Sequence, residues 1–408
     1  MRTTLLHLLM IITINSYAQT ANDILLKTIE KCNAIESGFY EMDFKMKFIS
    51  GPDTTNRSYE CYFKKLNKDP YFPTQFHYKF IYENKLHTEA IYNARELVNA
   101  YKHDSSGIFQ SVEKWGKQIE SISHNYTFYD PFNSVDQSTL PSKKELKKEL
   151  YRIDLIGKEI VNEYTCYHIK MILKEKHLSK GDFNYLKKEF HFWIDEKEYY
   201  PLKHTTEYKI LMNNDTMVQY ELFEIKNYQL NQPVDDSLLS TASIPSYFKI
   251  KEYTPYQPPK PLPIDTIAPE WKHISLDGDS ICLSDLKGKL VLADFFYKSC
   301  YPCMLSLPDL QWLHENFYES GLRVIGLDPV DTKEANMKDF LDKRGVSYPV
   351  LYSNKGISDL YRVSGYPTLY LIDKNGKILH HQKGYGKKMK KELTKVIKNY
   401  FNENTTEK

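Results

Sequence analysis

The stretch that decides the fold of the C-terminal part is Leu290-Val-Leu-Ala-Asp-Phe-Phe-Tyr-Lys-Ser-Cys-Tyr-Pro-Cys303. It runs from a continuous apolar segment, which predicts a buried strand, into two cysteines separated by Tyr301 and Pro302. If a helix opens at the first cysteine, unpaired backbone N–H groups and the helix dipole stabilise its thiolate. Cys300 is therefore the predicted nucleophile, and Cys303, one helical turn further on, is the thiol that resolves a mixed disulfide.

Asp294 is a lone carboxyl group inside this apolar segment. Burying an ionised carboxylate costs several kcal/mol, so we expect Asp294 to be protonated at neutral pH or to serve the chemistry. It stands six residues before Cys300, where it can lie beneath the disulfide and accept the proton of Cys303. The alternative is a carboxylate at the end of the strand that reaches solvent.

The rest of the C-terminal part predicts alternating strands and helices. The helix opened by the cysteines is expected to bend at Pro308 and to end before Gly321. The pattern predicts a hairpin at 271–283, strands at 289–296, 323–328, 368–373 and 378–382, and helices at 301–320, 333–343 and 387–401. This order predicts an α/β domain in which helices flank a mixed sheet.

A second motif, Gly365-Tyr-Pro-Thr368, leads into one of these strands. Together with the cysteines it makes residues 267–401 resemble the thioredoxin superfamily, in particular the exported branch typified by TlpA and ResA. The resemblance is carried by Ala268-Pro269, Leu283-Ser-Asp-Leu-Lys-Gly-Lys289, Cys300-Tyr-Pro-Cys303, Leu307-Pro-Asp-Leu310 and Gly365-Tyr-Pro-Thr368.

The resemblance implies a thioredoxin fold and a thiol:disulfide oxidoreductase that needs no cofactor beyond its redox-active Cys300–Cys303 disulfide. It also implies that Pro367 is cis and faces this disulfide, and that the backbone of Tyr366 pairs with an extended substrate chain. Tyr301 and Pro302 are expected to contact the substrate as well, and to tune the reduction potential.

Two departures from the exported branch bear on partners and on proton transfer. Phe295-Phe296 and Ser299 stand where many exported relatives carry tryptophans, a change that we expect to alter partner choice. Asp294 is often Asn in that branch but Asp in thioredoxin itself, which favours a reductant-like proton path.

Other readings of the cysteine pair are weaker. Zinc needs about four ligands, and the sequence has no second C-x-x-C pair and no H-x-x-H pair, so we predict no metal site. A structural disulfide over so short a loop would remove little chain entropy. A thiol peroxidase is the enzymatic alternative, although Tyr297 stands where peroxiredoxins have Thr or Ser and Cys303 offers an immediate resolving partner.

The first 18 residues have the layout of a cleaved secretory signal peptide. A single positive charge precedes an apolar stretch at 5–14, which ends in Ser16-x-Ala18 and makes Gln19 the expected mature N-terminus. The apolar stretch is too short to span a bilayer. We therefore expect secretion across the inner membrane into the periplasm.

Residues 19–250 predict a mainly β part that begins with a helix. The helix should start after Asn22-Asp23 and end near Gly38. Alternating apolar residues predict strands around 40–48, 59–64, 76–82, 164–172, 190–194 and 218–228, with a short helix at 141–150. Such strands suggest one curved antiparallel sheet, an α+β half-barrel.

This part resembles the LolA/LppX half-barrel in the phrases Tyr62-Phe-Lys-Lys-Leu-Asn-Lys-Asp-Pro70 and Phe192-Trp-Ile-Asp195 with Tyr200-Pro-Leu-Lys203. The resemblance implies an apolar cavity that takes a lipid or lipoprotein. The alternative is a concave face filled by the domain's own Tyr and Phe side chains. A proline-rich linker is predicted at 251–266, with five prolines between Tyr253 and Pro263, and a thioredoxin-like domain at 267–408.

The remaining features set limits on partners. A formal net charge of +2 gives no reason to expect nucleic acid as a partner.

Cys32, Cys61, Cys166 and Cys282 are expected to be buried free thiols or to form a bridge such as Cys61 to Cys166. The sequence thus predicts an exported oxidoreductase that reduces protein disulfides with electrons from an unidentified donor. A lipid or lipoprotein carrier with an accessory redox domain is the alternative.

Overall fold

The computed structural model of the protein describes residues 20–48, 54–66, 68–122, 132, 140–178, 184–212, 215–332 and 336–405. The predicted signal peptide lies outside these residues. No helix within the described ranges is long and apolar enough to cross a membrane. The described strands form two separate sheets, one of twelve strands and one of seven.

The first helix, α1, spans Ala21–Asn33 and begins three residues before the predicted start after Asp23. Thr20 is its N-cap, because the Thr20 hydroxyl accepts the Asp23 N–H while the Asp23 carboxylate accepts the Thr20 N–H. The predicted end near Gly38 was wrong, since the chain is already extended at Ser37, where the first strand starts.

The first sheet contains twelve strands in the order β12-β6-β5-β4-β3-β2-β1-β11-β10-β9-β8-β7. Every pair of neighbours is antiparallel except β12 with β6. The strands are β1 Ser37–Lys47, β2 Thr54–Lys65, β3 Thr74–Tyr82, β4 Lys85–Tyr92, β5 Glu96–Tyr101, β6 Ser106–Ser111, β7 Tyr151–Val161, β8 Tyr164–Leu173, β9 Asn184–Asp195, β10 Pro201–Met212, β11 Asp215–Leu230 and β12 Lys249–Glu252. The N-terminal part is therefore mainly strands, as expected.

Two further helices accompany this sheet. The helix α2 (Val112–Ile122) follows β6 and had no prediction, whereas α3 (Lys143–Lys147) lies within the predicted helix at 141–150. Half of the strands, namely β4 to β7, β10 and β12, also had no prediction. The run of buried residues in β5 explains one of these missed strands, because a strand covered on both faces shows no alternation of apolar and polar residues.

The apolar face of the sheet is packed with aromatic side chains of the protein itself. Tyr40, Phe63, Phe76 and Tyr92 are almost fully buried there, and Phe132 contacts Tyr40 edge-on with ring centroids 6.2 Å apart. These contacts agree with the alternative in which the domain fills its own concave face. A lipid or lipoprotein ligand and the half-barrel resemblance stay predictions.

The second sheet has the order β14-β13-β17-β16-β15-β18-β19 and is mixed. Its strands are β13 Lys272–Ser275, β14 Ser280–Cys282, β15 Leu290–Phe295, β16 Leu322–Asp328, β17 Val350–Tyr352, β18 Thr368–Ile372 and β19 Ile378–Lys383, and its helices are α4 Tyr301–Phe317, α5 Met337–Asp342, α6 Lys355–Leu360 and α7 Met389–Thr405. β15, β16 and β17 are parallel to one another, whereas β18 runs antiparallel to β15. The mixed α/β architecture predicted for this part is confirmed, although β17 and α6 had no prediction.

The chain leaves the first sheet after Glu252, two residues beyond the predicted boundary at 250. From Tyr253 to Pro263 it has no regular structure and is largely exposed. Asp265 then donates its N–H to the Ile378 carbonyl at 2.8 Å, which attaches the end of this segment to the second sheet. The division into domains with a linker at 251–266 stays a prediction.

Candidate active site

Cys300 and Cys303 lie at the junction of β15 and α4, where they form a disulfide with Cα atoms 5.2 Å apart. Cys300 is the N-cap of α4, and its Sγ accepts the Cys303 N–H at 3.2 Å. Pro302 occupies the first turn, where its missing N–H costs nothing. Cys300 is 4% exposed and Cys303 0%. A partner can therefore approach the sulfur of Cys300 more readily than that of Cys303.

Asp294 is fully buried in β15, with 0% of its surface exposed. The residues around it are apolar: Leu292 and Phe296 lie on its face of the strand, and Leu369 is its partner on β18. Neither carboxyl oxygen has a hydrogen-bond partner, and burial raises the pKa of Asp294 to about 8. The alternative of a carboxylate that reaches solvent was wrong, because β15 is covered on both faces.

The face of β15 that carries Asp294 is also the face beneath the cysteines. Leu292 and Phe296 pack in one apolar cluster with Cys300 and Cys303. Because side chains two residues apart in a strand share a face, Asp294 points toward the same layer as these residues. A carboxyl group with this raised pKa could exchange a proton with the Cys303 thiol when the disulfide is reduced.

The peptide bond between Tyr366 and Pro367 is cis. It precedes Thr368, which pairs with Phe295 at the end of β15 that leads to Cys300. The Tyr366 ring packs edge-on against Tyr297, with centroids 5.2 Å apart. The strand pairing thus brings the Gly365-Tyr-Pro-Thr368 motif to the end of the sheet that holds the disulfide.

The residues expected to bind substrate differ in exposure. Pro302 is exposed, Tyr301 and Tyr366 are half-buried, and Pro367 is buried. A half-buried aromatic ring offers apolar area while its hydroxyl stays in water. These positions could therefore contact an extended polypeptide, although their roles stay predictions.

Comparison with known proteins decides the family. The AhpC/TSA family model matches residues 264–381. The thiol-disulfide oxidoreductase ResA of Bacillus anthracis is 34% identical over 132 residues, which cover 32% of this chain and 75% of that protein. The chain belongs to the ResA-like thiol-disulfide oxidoreductases.

Other similar proteins carry related names. The thioredoxin-like protein YneN of Bacillus subtilis is 33% identical over 113 residues, 27% of this chain and 66% of YneN. A solved thiol:disulfide interchange protein DsbE from Chlorobium tepidum is 30% identical and matches 34% of this chain and 99% of its own, with a TM-score of 0.33. The C-terminal part of this ResA-like oxidoreductase, with its mixed sheet and flanking helices, has a thioredoxin-like fold.

Tyr348 is a neighbour of Asp294 in this ResA-like protein that the sequence does not reveal. Its ring is 3% exposed, and its hydroxyl has no hydrogen-bond partner. Burial first, and the Asp294 carboxylate second, raise the pKa of Tyr348 well above its ordinary range. Tyr348 precedes β17, and β16 separates β17 from β15, so only the strand order brings the two residues together.

The four cysteines outside the Cys300–Cys303 pair of this ResA-like protein form no disulfide. Cys32, Cys61 and Cys166 are buried, and Cys282 is partly exposed. The suggested bridge between Cys61 and Cys166 was wrong, because β2 and β8 are separated by four strands in the sheet order. Among the described residues, no group of three or more His, Cys, Asp or Glu side chains is arranged to hold a metal ion.

Proposed function

We propose that the protein is an exported thiol:disulfide oxidoreductase that reduces protein disulfides by dithiol–disulfide exchange through Cys300 and Cys303. The observation that carries the proposal is the position of Cys300, whose sulfur accepts an N–H bond at the first turn of α4. That bond and the helix dipole stabilise a thiolate. Membership of the ResA-like oxidoreductases supports the same reaction class.

The exchange takes two steps. The Cys300 thiolate attacks one sulfur of a substrate disulfide, which breaks the substrate S–S bond and releases one substrate thiolate. Cys303 then loses its proton, and its thiolate attacks the Cys300 sulfur, so that the mixed disulfide breaks and the second substrate thiolate leaves. The substrate gains two electrons, and the protein keeps a Cys300–Cys303 disulfide. An external dithiol must supply two electrons to restore the reduced protein.

Asp294 is proposed to accept the Cys303 proton in the second step. The ionised form of Asp294, which is the minority form at pH 7, accepts the proton, and the raised pKa makes this carboxylate a stronger base than an ordinary one. The apolar residues around it leave the transferred proton few other acceptors. The substrate backbone would lie along Tyr366 and Pro367, with Tyr301 and Pro302 beside the scissile disulfide.

Insulin reduction by the purified full-length protein, with dithiothreitol as electron donor, tests the reaction. The wild type should accelerate the reduction, and Cys300→Ala should abolish the acceleration. Activity that survives in Cys300→Ala would sink the proposal. Peroxide consumption measured on the same samples tests the peroxidase alternative, which predicts peroxide turnover that depends on Cys300.

Trapping identifies the clients. In Cys303→Ala the mixed disulfide on Cys300 cannot resolve, so protein partners should accumulate as adducts that dithiothreitol releases. A defined set of adducts would name the substrates, whereas random adducts would argue against encoded specificity. Export is tested by the N-terminus of the mature protein, which should be Gln19.

A further inference from the structure

The segment between β15 and α4, residues 296–299, is held from the end of the neighbouring strand β16. The Phe296 N–H donates to the Leu327 carbonyl at 3.1 Å. The Lys298 N–H donates to Oδ2 of Asp331 at 2.6 Å. Asp331 is thus a side-chain acceptor for a backbone group only two residues before Cys300.

Asp331 is itself held in a fixed turn. Asp328, the last residue of β16, is fully buried, and its Oδ1 accepts the N–H groups of Val330 at 3.0 Å and Asp331 at 2.9 Å. A side chain that accepts two successive turn N–H groups fixes the backbone that follows a strand. The carboxylate of Asp331 therefore meets Lys298 in a defined position.

The position of the Cys300 sulfur depends on this segment. Lys298 is buried, with 9% of its surface exposed, and removal of the Asp331 carboxylate would take away the hydrogen bond that its N–H makes at 2.6 Å. The Cys300 N–H donates to the Tyr297 carbonyl at 3.1 Å, which continues the same run of fixed groups into the first turn of α4. Movement at Lys298 would therefore displace the sulfur from the Cys303 N–H.

We propose that Asp331 is a positioning residue for the redox reaction, because its carboxylate fixes the segment that places the Cys300 sulfur at the start of α4. The inference rests on the proposed dithiol–disulfide exchange. It concerns the acceptor atom of Asp331 and its placement, not its negative charge. Asp331 stands 31 residues after Cys300, and only the pairing of β15 with β16 brings the two segments together.

Two variants of Asp331 separate acceptor geometry from charge. Asp331→Asn keeps an oxygen at the same distance from the backbone and loses the charge, whereas Asp331→Glu keeps the charge and moves the acceptor by one methylene. Asp359→Asn, at an exposed position on α6, is the matched control. The equilibrium constant between the Cys300–Cys303 disulfide and reduced glutathione is measured for each full-length protein, together with the rate of iodoacetamide reaction with the reduced protein.

The sign of the expected effect follows from the reduced state. A sulfur held by the Cys303 N–H favours the thiolate, so loss of this arrangement favours the disulfide. In Asp331→Glu we expect the equilibrium constant with glutathione to shift about fivefold toward the disulfide. At about 30 mV per tenfold change, this is about 20 mV in reduction potential. The reaction with iodoacetamide should slow in parallel. Asp331→Asn and Asp359→Asn should stay within about twofold of the wild type, since each keeps the geometry around Cys300.

A shifted constant in Asp331→Asn, or an unshifted one in Asp331→Glu, would overturn the inference. Circular dichroism of each variant shows whether it is folded, and Asp331→Ser, which shortens the side chain, replaces the Glu variant if that one does not fold. A wild-type protein without a reversible dithiol couple would instead refute the proposed exchange. The two failures are therefore distinguishable.

Discussion

Replacing Asp294 by Asn should remove a pH dependence of stability that the wild-type protein carries. The side chain is fully buried, its oxygens have no hydrogen-bond partner, and burial raises its pKa from the ordinary 3.8 to about 8. Asn has the same shape and stays neutral at every pH. The substitution therefore removes the titration and leaves the packing nearly unchanged.

The magnitude follows from the two pKa values. The unfolded chain releases the Asp294 proton near pH 4 and the folded chain near pH 8, so between these values the folded state binds more protons. The free energy of unfolding of the wild type therefore falls as the pH rises through this range. At about 1.4 kcal/mol per pKa unit, the loss is about 1 kcal/mol at about pH 4.5 and about 4 kcal/mol at about pH 7. Asp294→Asn should not show this loss of unfolding free energy.

Urea unfolding of the oxidised protein between about pH 4.5 and about pH 8 measures this difference. Trp271 and Trp312 report on the second sheet when Trp115 and Trp193 are replaced by Phe. The exposed Asp359→Asn is the control and should keep the wild-type slope. If the curves of the wild type and Asp294→Asn run parallel over the whole range, the reasoning from burial is wrong.

Three further predictions concern other buried groups. Burial lowers the pKa of His204 from 6.5 to about 3, so wild-type stability falls as the pH drops below about 6.5. The stability of His204→Phe relative to the wild type should therefore rise by about 3 kcal/mol between neutral pH and about pH 4.5. An equal difference at both pH values in urea unfolding would contradict this. Gly326→Ala places a Cβ 2.8 Å from Cγ2 of Val350; it should lower the free energy of unfolding by about 2 kcal/mol, which an unchanged urea midpoint would refute. In the wild type, Nε2 of the buried His168 lies 2.7 Å from Nδ1 of His191, and His191→Phe removes this hydrogen bond. The variant should lose about 2 kcal/mol of unfolding free energy. Urea unfolding measures the loss, with the exposed His103→Phe as control.

The strand, the helix start and the cysteine pair of the candidate site could be predicted from the sequence because their determinants are local. The apolar run before Cys300 gave β15, and two cysteines at helical spacing gave the start of α4. Asp294 was predicted to be buried because a single carboxyl group interrupts that run. Each of these inferences needs only residues that are neighbours in the chain.

Tyr348 and Asp331 could not be predicted, because their partners are distant in the sequence. Tyr348 stands 54 residues after Asp294 and meets it across two strand pairings. The short elements β17 and α6, of three and six residues, carry too few residues for a period to be visible. The N-cap of α1 was predicted at Asn22-Asp23 rather than at Thr20, because all three are good capping residues.

The burial of three cysteines in the N-terminal part limits their reaction with disulfides. Cys32, Cys61 and Cys166 belong to one apolar cluster of the first sheet. Burial first, and Asp195 second, raise the pKa of Cys166 from 9.0 to about 12. Only a thiolate attacks a disulfide, so at a given pH the reactive form of Cys166 is about a thousandfold scarcer than that of an ordinary cysteine. Cys166 of a folded copy can thus stay reduced in the presence of oxidised Cys300–Cys303 pairs, whereas the same thiol in a chain that has not yet folded is an ordinary, reactive cysteine.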